Sequence, residues 1–220
     1  MRILGLTGSI GMGKSSAARA LRRLGLPVAE SDRVVHDVLG RGCGGVAAFA
    51  RGFPEAVRAG PGGAAEIDRV KLGARVFGDP GALARLEAIV HPLARRANRR
   101  FLNACARRRA PLVALDVPLL FETGGERACD KVVVVSAPAF VQRARVLARP
   151  GMDEARLACV LARQMPDRIK RRRADFVVLT GLSKHATLRA LRRVVAKMRR
   201  AGPRVWRPGH GPGPERIGER

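Results

Sequence analysis

Gly8-Ser9-Ile10-Gly11-Met12-Gly13-Lys14-Ser15 has the residue types and the spacing, G-x-x-x-x-G-K-S, of a loop that cradles a phosphate chain. The glycines let the backbone bend until several N–H groups face one concavity. A helix beginning near Lys14 adds the positive end of its dipole. In such a loop Lys14 bridges the β- and γ-phosphates of a nucleoside triphosphate and the Ser15 hydroxyl holds Mg²⁺. The pattern predicts a phosphate site and leaves the reaction open. Three acids follow at places where they could serve that site: Asp32, Asp116 and Glu122.

The elements that must position these groups are readable from the apolar runs. Residues 3–6 form a short strand ahead of the loop, and residues 16–24 a helix stopped by Gly25. Leu26-Pro27-Val28-Ala29 is a second strand, and helical spacing resumes over 33–39. Asp32 therefore sits at a strand-to-helix junction, where open α/β sheets bind ligands. It reads equally as a helix cap and as a catalytic acid facing the phosphates. Residues 111–116 form a third strand closing on Asp116, placed as the acid that orders Mg²⁺, directly or through water, in loop-type nucleotide hydrolases and kinases. Glu122 lies just beyond. Strands at 131–135 and 175–179 complete five, each buried-looking and joined by helices, which predicts an α/β fold with a doubly wound parallel sheet.

Between the second and third strands, residues 46–109 read as mostly helical, in pieces at 46–50, 68–77 and 80–105. The last carries a stripe of Leu83, Leu86, Ile89, Val90 and Leu93. This is too long for a crossover and reads as an insertion forming one wall of a cleft. His91-Pro92 within it predicts a kink or a new helix start, and by spacing alone His91 reads as a capping or packing residue. Later helices are expected over 139–148, 152–163 and 185–199. Arg145 and Arg149 share a face of the first, ahead of the Pro150-Gly151 break, as arginines do that close over a transferring phosphoryl group; a solvated charged face is the plain alternative. The basic run at 168–173 reads as a solvated face or loose anion patch. Residues 201–220, rich in Gly, Pro and Arg, read as a disordered tail.

The chain has 220 residues and a formal charge of +25, which invites nucleic acid or an acidic membrane as partner. That reading is set aside. The base is mostly arginine spread over the whole length, and with no Tyr and one Trp there is no stacking platform, so no specific nucleic acid is expected. Cys43, Cys105, Cys129 and Cys159 form no C-x-x-C pair and read as free thiols of a reducing compartment. No apolar run could span a bilayer and no signal-peptide layout is present, so a cytoplasmic protein, taken as a monomer, is expected.

In their order and spacing, several further segments resemble the dephospho-CoA kinase family, from residue 1 to about 199. They are the segment from Leu6 to Ser15, Glu30-Ser31-Asp32, Leu86-Glu87-Ala88-Ile89-Val90-His91-Pro92-Leu93, Asp116-Val117-Pro118-Leu119-Leu120-Phe121-Glu122, Gln142 with Arg145 and Arg149, Gln164-Met165-Pro166, and Ala174-Asp175-Phe176-Val177-Val178. The resemblance implies a P-loop nucleotide kinase-like core at 1–40 and 111–200 with a lid at about 149–170, and a helical CoA-substrate domain at 41–110. It implies ATP and Mg²⁺ as cofactors and transfer of the γ-phosphoryl to the 3′-hydroxyl of the ribose of dephospho-CoA. Nucleotide contacts would fall on Gly8, Gly11, Met12, Gly13, Lys14, Ser15 and Ser16. Asp32 would face the acceptor hydroxyl, with His91, Leu119 and Glu122 on the substrate. Lys14, Arg145 and Arg149 would neutralise charge. The chain departs from the family in having Glu30-Ser31-Asp32 where Asp-Ala-Asp is frequent, Ser16 where Thr is usual, and Thr180 where many members carry Asn.

Three other classes compete. A kinase for a nucleoside monophosphate or a metabolite alcohol would differ in substrate. A GTP-dependent switch needs an Asn-Lys-x-Asp motif, which the chain lacks. A basic nucleic-acid module would bind with steep salt dependence and show no kinase activity.

Overall fold

The computed structural model describes residues 1–31, 45–60, 65–76 and 79–202. These fall into two compact units, one of residues 1–30 with 102 onward, the other of residues 31–101.

The larger unit is built on a five-stranded sheet of β1 (Arg2–Thr7), β2 (Val28–Glu30), β5 (Leu112–Asp116), β6 (Lys131–Ser136) and β7 (Phe176–Leu179), in the order β2-β5-β1-β6-β7. Every pairing is parallel. Parallel strands are covered on both faces, so they must be apolar throughout, and Leu112-Val113-Ala114-Leu115 and Val132-Val133-Val134-Val135 are. Helices α1 (Lys14–Arg23) and α8 (Lys184–Arg200) share one face, where Leu21, Leu191, Val194, Val195 and Met198 pack on Leu4, Leu6 and Val133. Burying each such side chain contributes about 1.5–3 kcal/mol. Carboxylates tie off the strand starts: Asp130 Oδ2 accepts from Ile3 N at 2.7 Å, and Asp175 Oδ2 from Val132 N at 2.8 Å. Helices α5 (Ala139–Leu147), α6 (Glu154–Ala162) and α7 (Asp167–Arg173) lie between β6 and β7.

The smaller unit holds α2 (Gly45–Gly52), the strands β3 (Val57–Ala59) and β4 (Ala65–Ile67), α3 (Arg69–Val76) and most of α4 (Pro80–Arg107). Its core is Phe49, Phe53, Ala56, Ile67, Leu72, Val76 and Ala82, against which the predicted stripe of α4 packs.

The doubly wound parallel sheet is the one the apolar runs predict. Three local expectations differ. Residues 57–59 and 65–67 form an antiparallel pair inside the stretch read as helical; its central partners Arg58 and Glu66 are joined by an ion pair of 2.7 Å, which periodicity in so short a segment does not reveal. Of the kink or new start expected at Pro92, the new start does not occur: α4 runs through the proline, its apolar stripe held on the Phe49–Phe53 core on both sides. The basic run 168–173 lies in α7, with Lys170 fully buried rather than solvated. The helix expected over 33–39 and the tail beyond 202 lie outside the described residues.

Candidate active site

The phosphate loop fills the turn from β1 to α1. Gly11 and Gly13 stand at φ of 75° and 84°, a region that side chains with a Cβ disfavour. Space is short as well. A Cβ at Gly8 would come within 2.7 Å of Val135 O, and one at Gly11 within 2.9 Å of Gln142 O. Gly13 is the N-cap of α1, no side chain caps it, and the first turn holds no acid. The helix thus presents its first N–H groups and its positive end with no internal carboxylate in competition, the arrangement that suits an anion.

Side chains from far along the chain hold the loop's backbone. Gln142 Nε2 donates to Ile10 O at 2.7 Å, Arg145 Nη1 to Gly11 O at 3.4 Å, and Thr180 Oγ1 to Met12 O at 2.8 Å. Arg145 also donates to Thr180 Oγ1 at 3.2 Å and Thr180 O at 2.7 Å, so one guanidinium joins the loop to the end of β7. The Met12 side chain is buried, with Sδ 3.0 Å from Ala137 N. All peptide bonds here are trans, so a carbonyl held outward turns the next N–H to the opposite side. Fixing the carbonyls of Ile10 and Met12 therefore aims the N–H groups of Gly11 and Gly13 into the loop. Ile10 N–H donates to Gln164 Oε1 at 3.0 Å.

The acids collect at the carboxyl edge of the sheet. Asp116 closes β5 and pairs in register with Leu6 of β1 and Glu30 of β2. It is buried, and its Oδ1 lies 2.9 Å from Lys14 Nζ. Glu30 is tied to Arg22 of α1 at 2.6 Å. Glu122 Oε1 accepts from Lys170 Nζ at 2.9 Å and Met165 N at 2.7 Å. Lys170 also donates to Pro118 O at 3.3 Å, a carbonyl that accepts from Thr7 Oγ1 at 3.0 Å.

The structure thus brings Lys14 to Asp116, and Arg145 to the loop. Ser15 and Ser16 are exposed at the start of α1, Arg149 is exposed just past α5, and Leu119 is half-buried, its carbonyl accepting from Thr123. His91 lies half-buried in α4, in the smaller unit. Asp32 lies outside the described residues. Sequence reasoning gave no structural part to Thr180, Gln142 or Gln164, and it left Lys170 in a solvated run. The one local signal was the spacing of Gln142 and Arg145, three apart and so on one helix face.

Among the described residues Cys105, Cys129 and Cys159 are free thiols. Burial, reinforced by Asp130, Glu126 and Asp175, pushes Cys129 up to about 12, so it stays an uncharged thiol and offers no nucleophile. No helix of the described residues is long and apolar enough to cross a membrane.

The family model for dephospho-CoA kinase matches residues 2–184. A dephospho-CoA kinase of Rhodospirillum rubrum is 57% identical over 94% of this chain and 96% of its own length. One of Paramagnetospirillum magneticum is 61% identical over 92% of this chain and 93% of its own. A crystal structure from Thermus thermophilus, 37% identical, superposes with a TM-score of 0.74 over 89% of this chain and 97% of that one. With its phosphate loop, its lysine–aspartate pair at the strand edge and this match over most of its length, the chain belongs to the dephospho-CoA kinase family.

Proposed function

We propose that this chain transfers the γ-phosphoryl group of ATP to the 3′-hydroxyl of the ribose of dephospho-CoA, giving coenzyme A and ADP. The observation that carries the reading is the braced phosphate loop at the head of a chain of this family, with Lys14 Nζ 2.9 Å from a buried aspartate at the sheet's carboxyl edge.

The loop N–H groups and the α1 terminus take the β- and γ-phosphates. Lys14 is already held at the strand edge by Asp116, and a polyphosphate gives its ammonium a second anionic partner. Phosphoryl transfer asks the protein for position and charge neutralisation more than for covalent chemistry. Lys14, Arg145 and Arg149 supply the charge: Arg145 from where it braces the loop, Arg149 from the exposed start of the lid. Asp32 orients the acceptor hydroxyl and takes its proton as the new O–P bond forms. His91, Leu119 and Glu122 serve the substrate side, Glu122 from its place in the ion pair with Lys170. The hydroxyl of Ser15 and the carboxylate of Asp116 are hard oxygen donors that fit Mg²⁺, directly or through water. Mg²⁺ bound there neutralises charge on the phosphates. We read the protein as a monomer of the cytoplasm that works on soluble metabolites and needs no membrane or nucleic acid.

A coupled assay of ADP formation tests this. Turnover is expected with ATP, Mg²⁺ and dephospho-CoA together, and not when nucleoside monophosphates replace dephospho-CoA. Asp32→Asn should lower kcat by about a hundredfold while ATP affinity is retained. Absence of turnover with dephospho-CoA would sink the assignment; unchanged turnover in Asp32→Asn would sink the role of that residue alone.

A further inference from the structure

Both backbone polar groups of Ile10, at the crown of the phosphate loop, are taken by glutamines. Gln142 Nε2 donates to its carbonyl at 2.7 Å and Gln164 Oε1 accepts from its N–H at 3.0 Å. The chemistry fixes both amide orientations, since a carbonyl needs a donor and an N–H an acceptor. The two residues stand at the two ends of one segment. Gln142 is buried on α5, and Gln164 follows α6. On α5 itself Val146 is buried and Arg145 grips Gly11 O and Thr180, but past α5 the arm at 148–163 has little else to hold it. Residues 148–151 and 153–156 are exposed, and Leu157 is the one buried residue of α6. Past α5 its polar ties are surface ones, such as the ion pair of Glu154 with Arg143 and the Asp153 cap on Arg156 N. A segment with so few buried apolar contacts opens at low free-energy cost.

We propose that Gln142 and Gln164 are positioning residues that couple the arm at 148–163 to the phosphate loop through Ile10. Gln142 holds the Ile10 carbonyl outward and so aims the Gly11 N–H at the phosphates. Gln164 returns the far end of the arm to the same residue. Filling the loop fixes Ile10, and a fixed Ile10 orders the arm; by linkage an ordered arm favours the filled loop to the same degree. This rests on the reading that the loop takes the phosphates of ATP.

The opposite polarity of the two bonds provides the test. Gln142→Glu and Gln164→Glu add the same charge beside the loop. The first replaces a required donor by an acceptor, while the second keeps the acceptor that Ile10 N–H needs. Amide hydrogen exchange is followed with and without the Mg²⁺ complex of the β,γ-imido analogue of ATP, at pH 8 and saturating analogue. In the unaltered protein the analogue should slow exchange at residues 8–15 and also at 150–163. Gln164→Glu should keep the slowing over 150–163, and Gln142→Glu should lose it by about fivefold, the loss of one hydrogen bond. Gln164→Leu removes the acceptor without a charge and should lose it likewise, which keeps the test decisive should Gln142→Glu fail to fold. Full slowing over 150–163 in Gln164→Leu, or equal behaviour of the two Glu variants, would overturn the coupling. No slowing at 8–15 in the unaltered protein would overturn the phosphate assignment instead.

Discussion

Lys170 is fully buried, and its ammonium faces Glu122 at 2.9 Å and Pro118 O at 3.3 Å. A lysine so placed persists only because its partners restore what desolvation removes. Glu122 is its ionic partner and also receives Met165 N, while Pro118 O also receives Thr7 Oγ1, from the residue just before the phosphate loop. One buried side chain thus links the end of β1, the 117–122 segment and the start of α7. Removing one member of such a pair leaves the other charge uncompensated. Lys170→Met should therefore destabilise the fold by about 3–5 kcal/mol in urea unfolding, and Lys170→Met with Glu122→Gln should recover part of that loss. A single variant as stable as the parent would show that the pair contributes nothing.

Among the elements, the loop and α1 act as a unit that glycine makes feasible. Gly11 and Gly25 both have positive φ, 75° and 80°, but differ in surroundings. A Cβ at Gly11 would come within 2.7 Å of Val146 Cγ2 and 2.9 Å of Gln142 O, whereas one at Gly25 meets nothing within 4 Å. Gly25→Ala should show backbone strain alone, about 1–2 kcal/mol, with ATP affinity unchanged. Gly11→Ala adds a backbone clash with α5 and should weaken ATP binding by tenfold or more. Calorimetric titration and thermal unfolding of both variants check this, and equal effects would mean that the fit against α5 is loose. Helix α4 shows the same precedence of packing over local preference. A proline inside a helix costs about 3 kcal/mol, yet the helix continues, since Leu86, Ile89, Val90 and Leu93 stay seated on the Phe49–Phe53 core.

For the whole molecule, the last described contacts of the chain are those of Arg2, which donates to Ala201 O and Gly202 O at the end of α8. The family match ends at residue 184 and α8 at Arg200. A protein ending at Gly202 keeps both, so its kcat and KM for ATP and dephospho-CoA should lie within about twofold of the full chain, since no site group is removed. A loss of activity beyond tenfold would give residues 203–220 a part in the reaction. Part of the formal charge of +25 is paired: Lys170 is buried against Glu122, Lys14 is set against Asp116, and the exposed Arg173 stacks on Phe121 at 4.7 Å while pairing with Glu126.

From the sequence alone came what depends on neighbours along the chain: the G-x-x-x-x-G-K-S loop between a strand and a helix, the apolar runs of the five strands, the stripe of α4, and Asp116 at a strand end. Glycine torsions, period and capping act over a few residues, so they are written locally. What braces the loop is not local. Gln142, Gln164 and Thr180 reach it from 132, 154 and 168 positions away. Parallel strands require long crossovers, so segments remote in sequence meet at the carboxyl edge of one sheet. Only the tertiary structure could decide that a lysine in a basic run goes inside, that Arg145 grips backbone carbonyls, and which side chains turn the loop's N–H groups inward.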